Sequence, residues 1–168
     1  MRTQPNYRYF LGVRPDAEVF PRFQRVCDAM GLPSRLDHAH LTLCTIAETD
    51  QRDHFVTGRV RRALRDAELF SFAVNLSRAR AGAAGAFAVT FGKQDEIQDF
   101  YRTLVRLLRA CGIEPLHRKS GLHPHVTLAY RACPVALLKI AICWFPSQLM
   151  LIESEIGHTK HNELARWR

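Results

Sequence analysis

The sequence predicts an α+β fold. Three observations carry that reading. Some segments alternate apolar and polar residues with the period of a strand, others repeat apolar residues at three and four as a helix does, and their order contains hairpins but no steady strand–helix–strand rhythm. The chain has 168 residues, 47% hydrophobic and 24% charged, the ordinary mix of a globular protein. No low-complexity linker divides it, so residues 1–168 are expected to form one domain.

Residues 7–14 (YRYFLGVR) read as a first strand, stopped at Pro15. Asp16 can cap a helix along which Val19, Phe23, Val26 and Met30 recur before Gly31 ends it. Pro21 falls early enough in it to be tolerated. After a loop over residues 32–37, residues 40–46 alternate as a strand, and Asp50 is expected to open a basic helix marked by Phe55, Val60, Leu64 and Leu69. Phe70, Phe72, Val74 and Leu76 then alternate with Ser71, Ala73, Asn75 and Ser77, as in a half-buried strand. A small-residue turn over 81–85 follows, and Phe87, Val89 and Phe91 restart the alternation, which makes a hairpin. Ile97, Phe100, Tyr101, Leu104, Leu107, Leu108 and Cys111 form one helical stripe ended by Gly112. A loop leads to a strand over residues 125–130. Residues 135–144 read as a short helix, Met150, Ile152 and Ile156 mark a further strand, and residues 163–167 a last one.

Composition narrows the function classes. The five cysteines are an odd number without C-x-x-C spacing, which argues against a disulfide scaffold, a zinc ribbon or a thioredoxin motif and for a reduced, cytoplasmic setting. Cys44 reads as a small packing residue. No apolar run is long enough to span a membrane, and residues 1–8 are too polar for a signal peptide. A net charge of +8 favours phosphate-bearing or polyanionic partners. The run Arg52, Arg59, Arg61, Arg62 and Arg65 reads as a solvated face before it reads as an RNA-binding one. Core packing is likewise the first reading of Tyr7, Tyr9, Phe10 and Tyr101, with base stacking the second. No protein partner is evident, and a monomer is expected.

Two short segments carry the chemistry. His40-Leu41-Thr42-Leu43 and His125-Val126-Thr127-Leu128 repeat one pattern about half a chain apart, each after an amphipathic helix and a loop. On a strand, alternate residues share a face, so each segment offers an imidazole beside a hydroxyl while its aliphatic residues face the other way. A lone copy would carry little weight; two in corresponding contexts imply similar lobes facing one another across a cleft. That arrangement suits displacement at phosphorus, where attacking and leaving oxygens lie in line on opposite sides. One imidazole takes a proton from the nucleophile and the other gives one to the leaving oxygen. Thr42 and Thr127 can bond the non-bridging oxygens. The scheme needs neither a metal nor a cofactor.

These motifs resemble those of the two-histidine (2H) phosphoesterase superfamily, especially its bacterial 2′-5′ RNA ligase-like, RNA 2′,3′-cyclic phosphodiesterase branch. Tyr9-Phe10-Leu11-Gly12-Val13-Arg14-Pro15 is similar to that branch's first strand, His123-Pro124-His125-Val126-Thr127-Leu128-Ala129 to its second motif, and Leu164-Ala165-Arg166-Trp167 to its last strand. The resemblance implies two pseudo-symmetric lobes, each an antiparallel sheet flanked by helices, around a central cleft. It implies hydrolysis of a 2′,3′-cyclic phosphate on RNA ends or nucleotides to a 2′-phosphate, with 2′-5′ ligation as the reverse reaction. Carried over, His40 is the acid, His125 the base, and Thr42 and Thr127 hold phosphate. The branch often places Phe-Leu-Gly after its first motif and Arg after its second, where this chain has Cys44-Thr45-Ile46 and Tyr130 followed by Arg131. Tyr130 and Arg131 are therefore the candidates for substrate contact, and strict alternation puts Tyr130 beside Thr127 only if a bulge intervenes.

Two other readings compete. His38-Ala39-His40 and His123-Pro124-His125 could chelate zinc from one strand face, but neither pair is accompanied by a carboxylate or cysteine. The same cleft could also bind a nucleotide or RNA end without turnover; the intact histidines and threonines favour an enzyme.

Overall fold

The structure is a computed structural model describing residues 5–33, 36–67, 69, 71–92, 94–116, 121–158 and 160–168. Its elements run β1 (Tyr7–Val13), α1 (Phe20–Ala29), β2 (Leu41–Thr49), α2 (Val56–Ala63), β3 (Val74–Gly82), β4 (Gly85–Thr90), α3 (Asp95–Ala110), β5 (His125–Ala129), β6 (Ala136–Trp144), β7 (Leu149–Glu155) and β8 (Lys160–Trp167). Single 3-10 turns at Ala17–Val19 and Leu36–His38 lead into α1 and β2. This is the mixed α+β architecture that the periodicities predict. Among the described residues, no helix is long and apolar enough to cross a membrane.

The strands form one sheet in the order β6-β3-β4-β5-β2-β1-β7-β8, antiparallel at every recorded pairing. Most neighbours share long ladders, but β2 and β5 meet through one registered pair, Leu41 with Val126. The sheet thus divides into two groups of four strands, each with one H-x-T strand at the inner edge, an arrangement compatible with the expected pair of lobes. Buried aliphatic faces of the strands and the helices close over a core that includes Leu11, Phe23, Leu41, Val60, Leu104, Leu108 and Val126.

Local chemistry explains the helices. In α3, Ile97, Phe100, Leu104, Val105 and Leu108 fall on one buried stripe. Asp95 and Glu96 oppose the dipole in its first turn, and the Glu96 carboxylate accepts the Ala73 N–H. Gly31 and Gly112, with φ of 63° and 71°, follow α1 and α3 as left-handed stops. The α2 helix starts later than Asp50 suggests: the Asp53 carboxylate takes the Phe55 N–H, Val56 is the first helical residue, and Phe55 is 80% exposed. Arg59 and Arg61 donate to the carbonyls of Gly112 and Leu164, and Arg52 pairs with Glu153 and Glu155, so part of the arginine run is occupied by structure.

Two elements correct the sequence reading. Residues 136–144 form a strand, not a helix. β6 pairs only with β3 at the sheet edge, so its inner face is half-buried or buried and its outer face carries Leu137, Lys139 and Ala141. The apolar run reads as helical because this outer face retains Leu and Ala. In β4 the phase is reversed: Ala86 and Ala88 enter the core, Phe87 and Val89 are half-buried on the other face, and Phe91 lies beyond the strand, 72% exposed. Phe72 is buried ahead of β3, and Phe70 lies outside the described residues.

Two glycines let the strands beside the motifs come close. A Cβ on Gly12 of β1 would stand 2.8 Å from the Leu41 carbonyl oxygen of β2. One on Gly85 of β4 would stand 2.4 Å from the Ala129 carbonyl oxygen of β5, at a φ of +116°. Gly12→Ala is expected to destabilise the fold by about 1–3 kcal/mol, the usual cost of overpacking, and to displace β2 with His40. Urea unfolding midpoints check this; a variant as stable as the parent would show that the approach of β1 to β2 is not tight.

Candidate active site

The single β2–β5 pair is made by the middle residues of the two motifs, Leu41 and Val126, both fully buried. An antiparallel pair has a local two-fold axis through its centre. One residue to either side, that register sets His40 across from Thr127 and His125 across from Thr42. Leu43 and Leu128 also enter the core, while His40, Thr42, His125 and Thr127 line a cleft of about 260 Å³ on the opposite face. Arg8, Phe10, Phe87, Tyr101 and Tyr130 complete much of its wall.

Each imidazole is held in the same way. His40 Nδ1 lies 2.9 Å from the His38 carbonyl oxygen, and His125 Nδ1 lies 2.8 Å from that of His123. A carbonyl only accepts, so each Nδ1 carries the proton, and each Nε2 is the nitrogen left for proton transfer. The H-x-H spacing therefore serves the catalytic imidazoles through the backbone of its first residue. Among the described residues, no group of three or more His, Cys, Asp or Glu side chains is gathered as a metal site. Phe10 stacks on His40 with ring centres 4.8 Å apart, and Phe87 meets His125 edge-on at 5.5 Å. Phe10 and Phe87 read as core residues in sequence; in the fold they brace the two histidines.

A third histidine was not legible. His161 of β8 lines the cleft and meets the His40 ring edge-on at 4.8 Å, with the His38 ring 5.7 Å away. It carries no motif and reaches His40 only because β8 lies on the same side of the sheet junction as β2. Burial, the largest effect, pushes the His40 imidazole down to about 4; the bond to the His38 carbonyl opposes this, and the charges of Arg14, His125 and His38 reinforce it. His161 is also pushed down to about 4, first by burial and then by His40, His38 and Arg14. Burial raises the Cys44 thiol to about 12, so Cys44 stays protonated and packs beside the cleft.

The bulge that Tyr130 requires is present. Between Ala86–Ala129 and Phe87–Thr127, the β4–β5 register skips Leu128, so Leu128 and Ala129 are both buried. Beyond the end of β5, Tyr130 lines the cleft and its hydroxyl shares a hydrogen bond with Thr127. Arg131 lies apart from the cleft, on a neighbouring cavity with Pro33 and His38. The cation of the cleft wall is Arg8, whose Nε is 2.6 Å from Glu48.

Neutral buried imidazoles make the fold acid-sensitive. In the folded chain His40 and His161 take up protons only near pH 4, against 6.5 ordinarily. Between those values the unfolded chain binds more protons, so stability falls as pH drops from about 6.5 towards about 4. Urea unfolding across that window checks the sign; stability that stayed level or rose on acidification would contradict the burial of these rings.

Residues 15–154 match the 2′-5′ RNA ligase superfamily. No curated protein matches the chain. The fold aligns with E. coli LigT complexed with 3′-AMP over 98% of both chains, at 16% identity and a TM-score of 0.74. A structure described as a phosphoesterase aligns over 98% of both chains, at 17% identity and a TM-score of 0.75. A Thermus thermophilus protein covers 95% of this chain and 96% of its own, at 19% identity and a TM-score of 0.70. With the matched region spanning both H-x-T strands, the chain belongs to the 2′-5′ RNA ligase superfamily, among the two-histidine phosphoesterases, whose activity is of the phosphoesterase or ligase type.

Proposed function

We propose that this chain is a metal-independent cyclic phosphodiesterase that hydrolyses the 2′,3′-cyclic phosphate of RNA ends or nucleotides to a 2′-phosphate. The observation that carries the reading is the two-fold juxtaposition of the H-x-T strands. It presents two imidazoles whose Nδ1 atoms are both engaged, so that proton transfer falls to Nε2, each ring diagonal to the other and beside the other strand's threonine. Structures of E. coli LigT complexed with 3′-AMP, ATP and NADP+ support a nucleotide as ligand.

In the reaction, His125 Nε2 takes a proton from water, whose oxygen attacks phosphorus. The P–O3′ bond breaks as His40 Nε2 donates its proton to the departing 3′-oxygen. Thr42, and Thr127 steadied by Tyr130, hold the non-bridging oxygens. His40 starts neutral in the empty cleft, and the arriving anion recharges it: an opposite charge within about 4–6 Å lifts such a group by roughly 1–3 pKa units. Afterwards His125 holds the extra proton and solvent resets both rings. With a 5′-hydroxyl end in place of water, the same two transfers join the ends in a 2′-5′ linkage. The chain works as one domain over residues 1–168, as a monomer in the cytoplasm.

His40→Ala and His125→Ala are each expected to lower turnover of a cyclic-phosphate-ended oligonucleotide by about 10²–10⁴-fold. Thr42→Val and Thr127→Val should lose less, and more in kcat than in KM. Near-parental turnover in either histidine variant would refute the mechanism. A 3′-phosphate product would reverse its orientation, and nucleotide binding without turnover would favour a binding module.

A further inference from the structure

We propose that His161 is a third working imidazole of the cleft, taking up a proton alongside His40 when a tetrahedral oxyanion enters and so supplying part of its countercharge. The inference rests on the phosphoesterase reading of the cleft and extends it to a residue outside both motifs. His161 lines the same cleft wall as His40, edge-on to it at 4.8 Å, while Phe10 covers a face of His40 at 4.8 Å and lies 6.1 Å from His161. The His161 Nδ1 is buried and has no partner among the described residues. An unpaired N–H there would add a stranded donor, so the neutral ring keeps its proton on Nε2.

The surroundings explain why this ring stays uncharged until an anion arrives. The charged and titratable groups acting on it are His40, His38 and Arg14, all cationic or potentially so. Its partner across the β7–β8 ladder is Ser154, which is neutral, and the nearby acid on its own strand, Glu163, is engaged by Arg166. Permanent positive charge in the cleft wall comes from Arg8, already bonded to Glu48. A substrate phosphate therefore meets few free fixed cations, and the two adjacent imidazoles recruit theirs from solvent. Burying a charge in the empty site is avoided because the proton arrives with the anion. No covalent step is involved: each ring gains one proton from water on binding and returns it on release.

Calorimetric titration of the whole chain with inorganic sulfate at pH 5.5, in two buffers of different ionisation heat, counts the protons taken up. Sulfate does not itself titrate there. His161→Gln and His161→Phe are each expected to reduce that uptake by about half a proton or more, the amount set by a lift of roughly 1–3 pKa units. Each should lower kcat/KM for a 2′,3′-cyclic nucleotide about tenfold. A ring-carbon NMR titration of unaltered His161, whose midpoint should rise with sulfate, reads the same event without a variant. Unchanged proton uptake in both variants, an unmoved His161 midpoint, or no sulfate binding at all would overturn the proposal. If uptake behaves as stated but cyclic phosphates are not turned over, the reaction assigned to the cleft fails and the anion site of His161 stands.

Discussion

One backbone contact organises this molecule: the antiparallel pairing of Leu41 with Val126. It joins the two four-strand groups and centres a local two-fold axis on the middle residue of each H-x-T motif. A longer β2–β5 ladder would close the sheet at that point. A single pair lets the strands meet and leaves the cleft between His40, Thr42, His125 and Thr127 open. Gly12 and Gly85 support the arrangement from either side, since each lets the neighbouring strand approach a motif strand more closely than a side chain would allow.

The two halves of the site are related but not equal. Both histidines use the carbonyl two residues upstream to fix their tautomer. The environments then diverge: His40 is 8% exposed between Phe10 and His161, whereas His125 has intermediate exposure against the edge of Phe87. General acid–base chemistry needs its two groups in opposite protonation states at one pH, and unequal burial is the means this fold offers. The same burial ties the site to stability, because protonating the His40 pocket in an empty cleft works against folding.

Local patterns told most of the fold. The alternation of β2 and β5, the stripe of α3 and the placement of His40, Thr42, His125 and Thr127 on one face all follow from residues within a few positions of each other. What escaped depended on distant partners. β6 is a strand because it pairs with β3, and its Leu-rich run carries no local mark of that pairing. Phe87 faces the cleft because β4 places its alanines inward against the core. His161 meets His40 only through the order in which β8, β7, β1 and β2 lie side by side. Tyr130 was legible as a condition, a bulge next to Thr127, and the β4–β5 register meets it at Leu128.

The central claim is that the two motif histidines face opposite sides of one phosphorus atom. A crystal structure with a nucleoside 2′,3′-vanadate, which adopts the trigonal-bipyramidal shape of an in-line displacement, tests it directly. The account predicts His40 Nε2 and His125 Nε2 within about 2.6–3.2 Å of the two opposite apical oxygens, with the Thr42 and Thr127 hydroxyls on equatorial ones. A vanadate bonded to only one of these histidines, or seated away from the Leu41–Val126 junction, would contradict it.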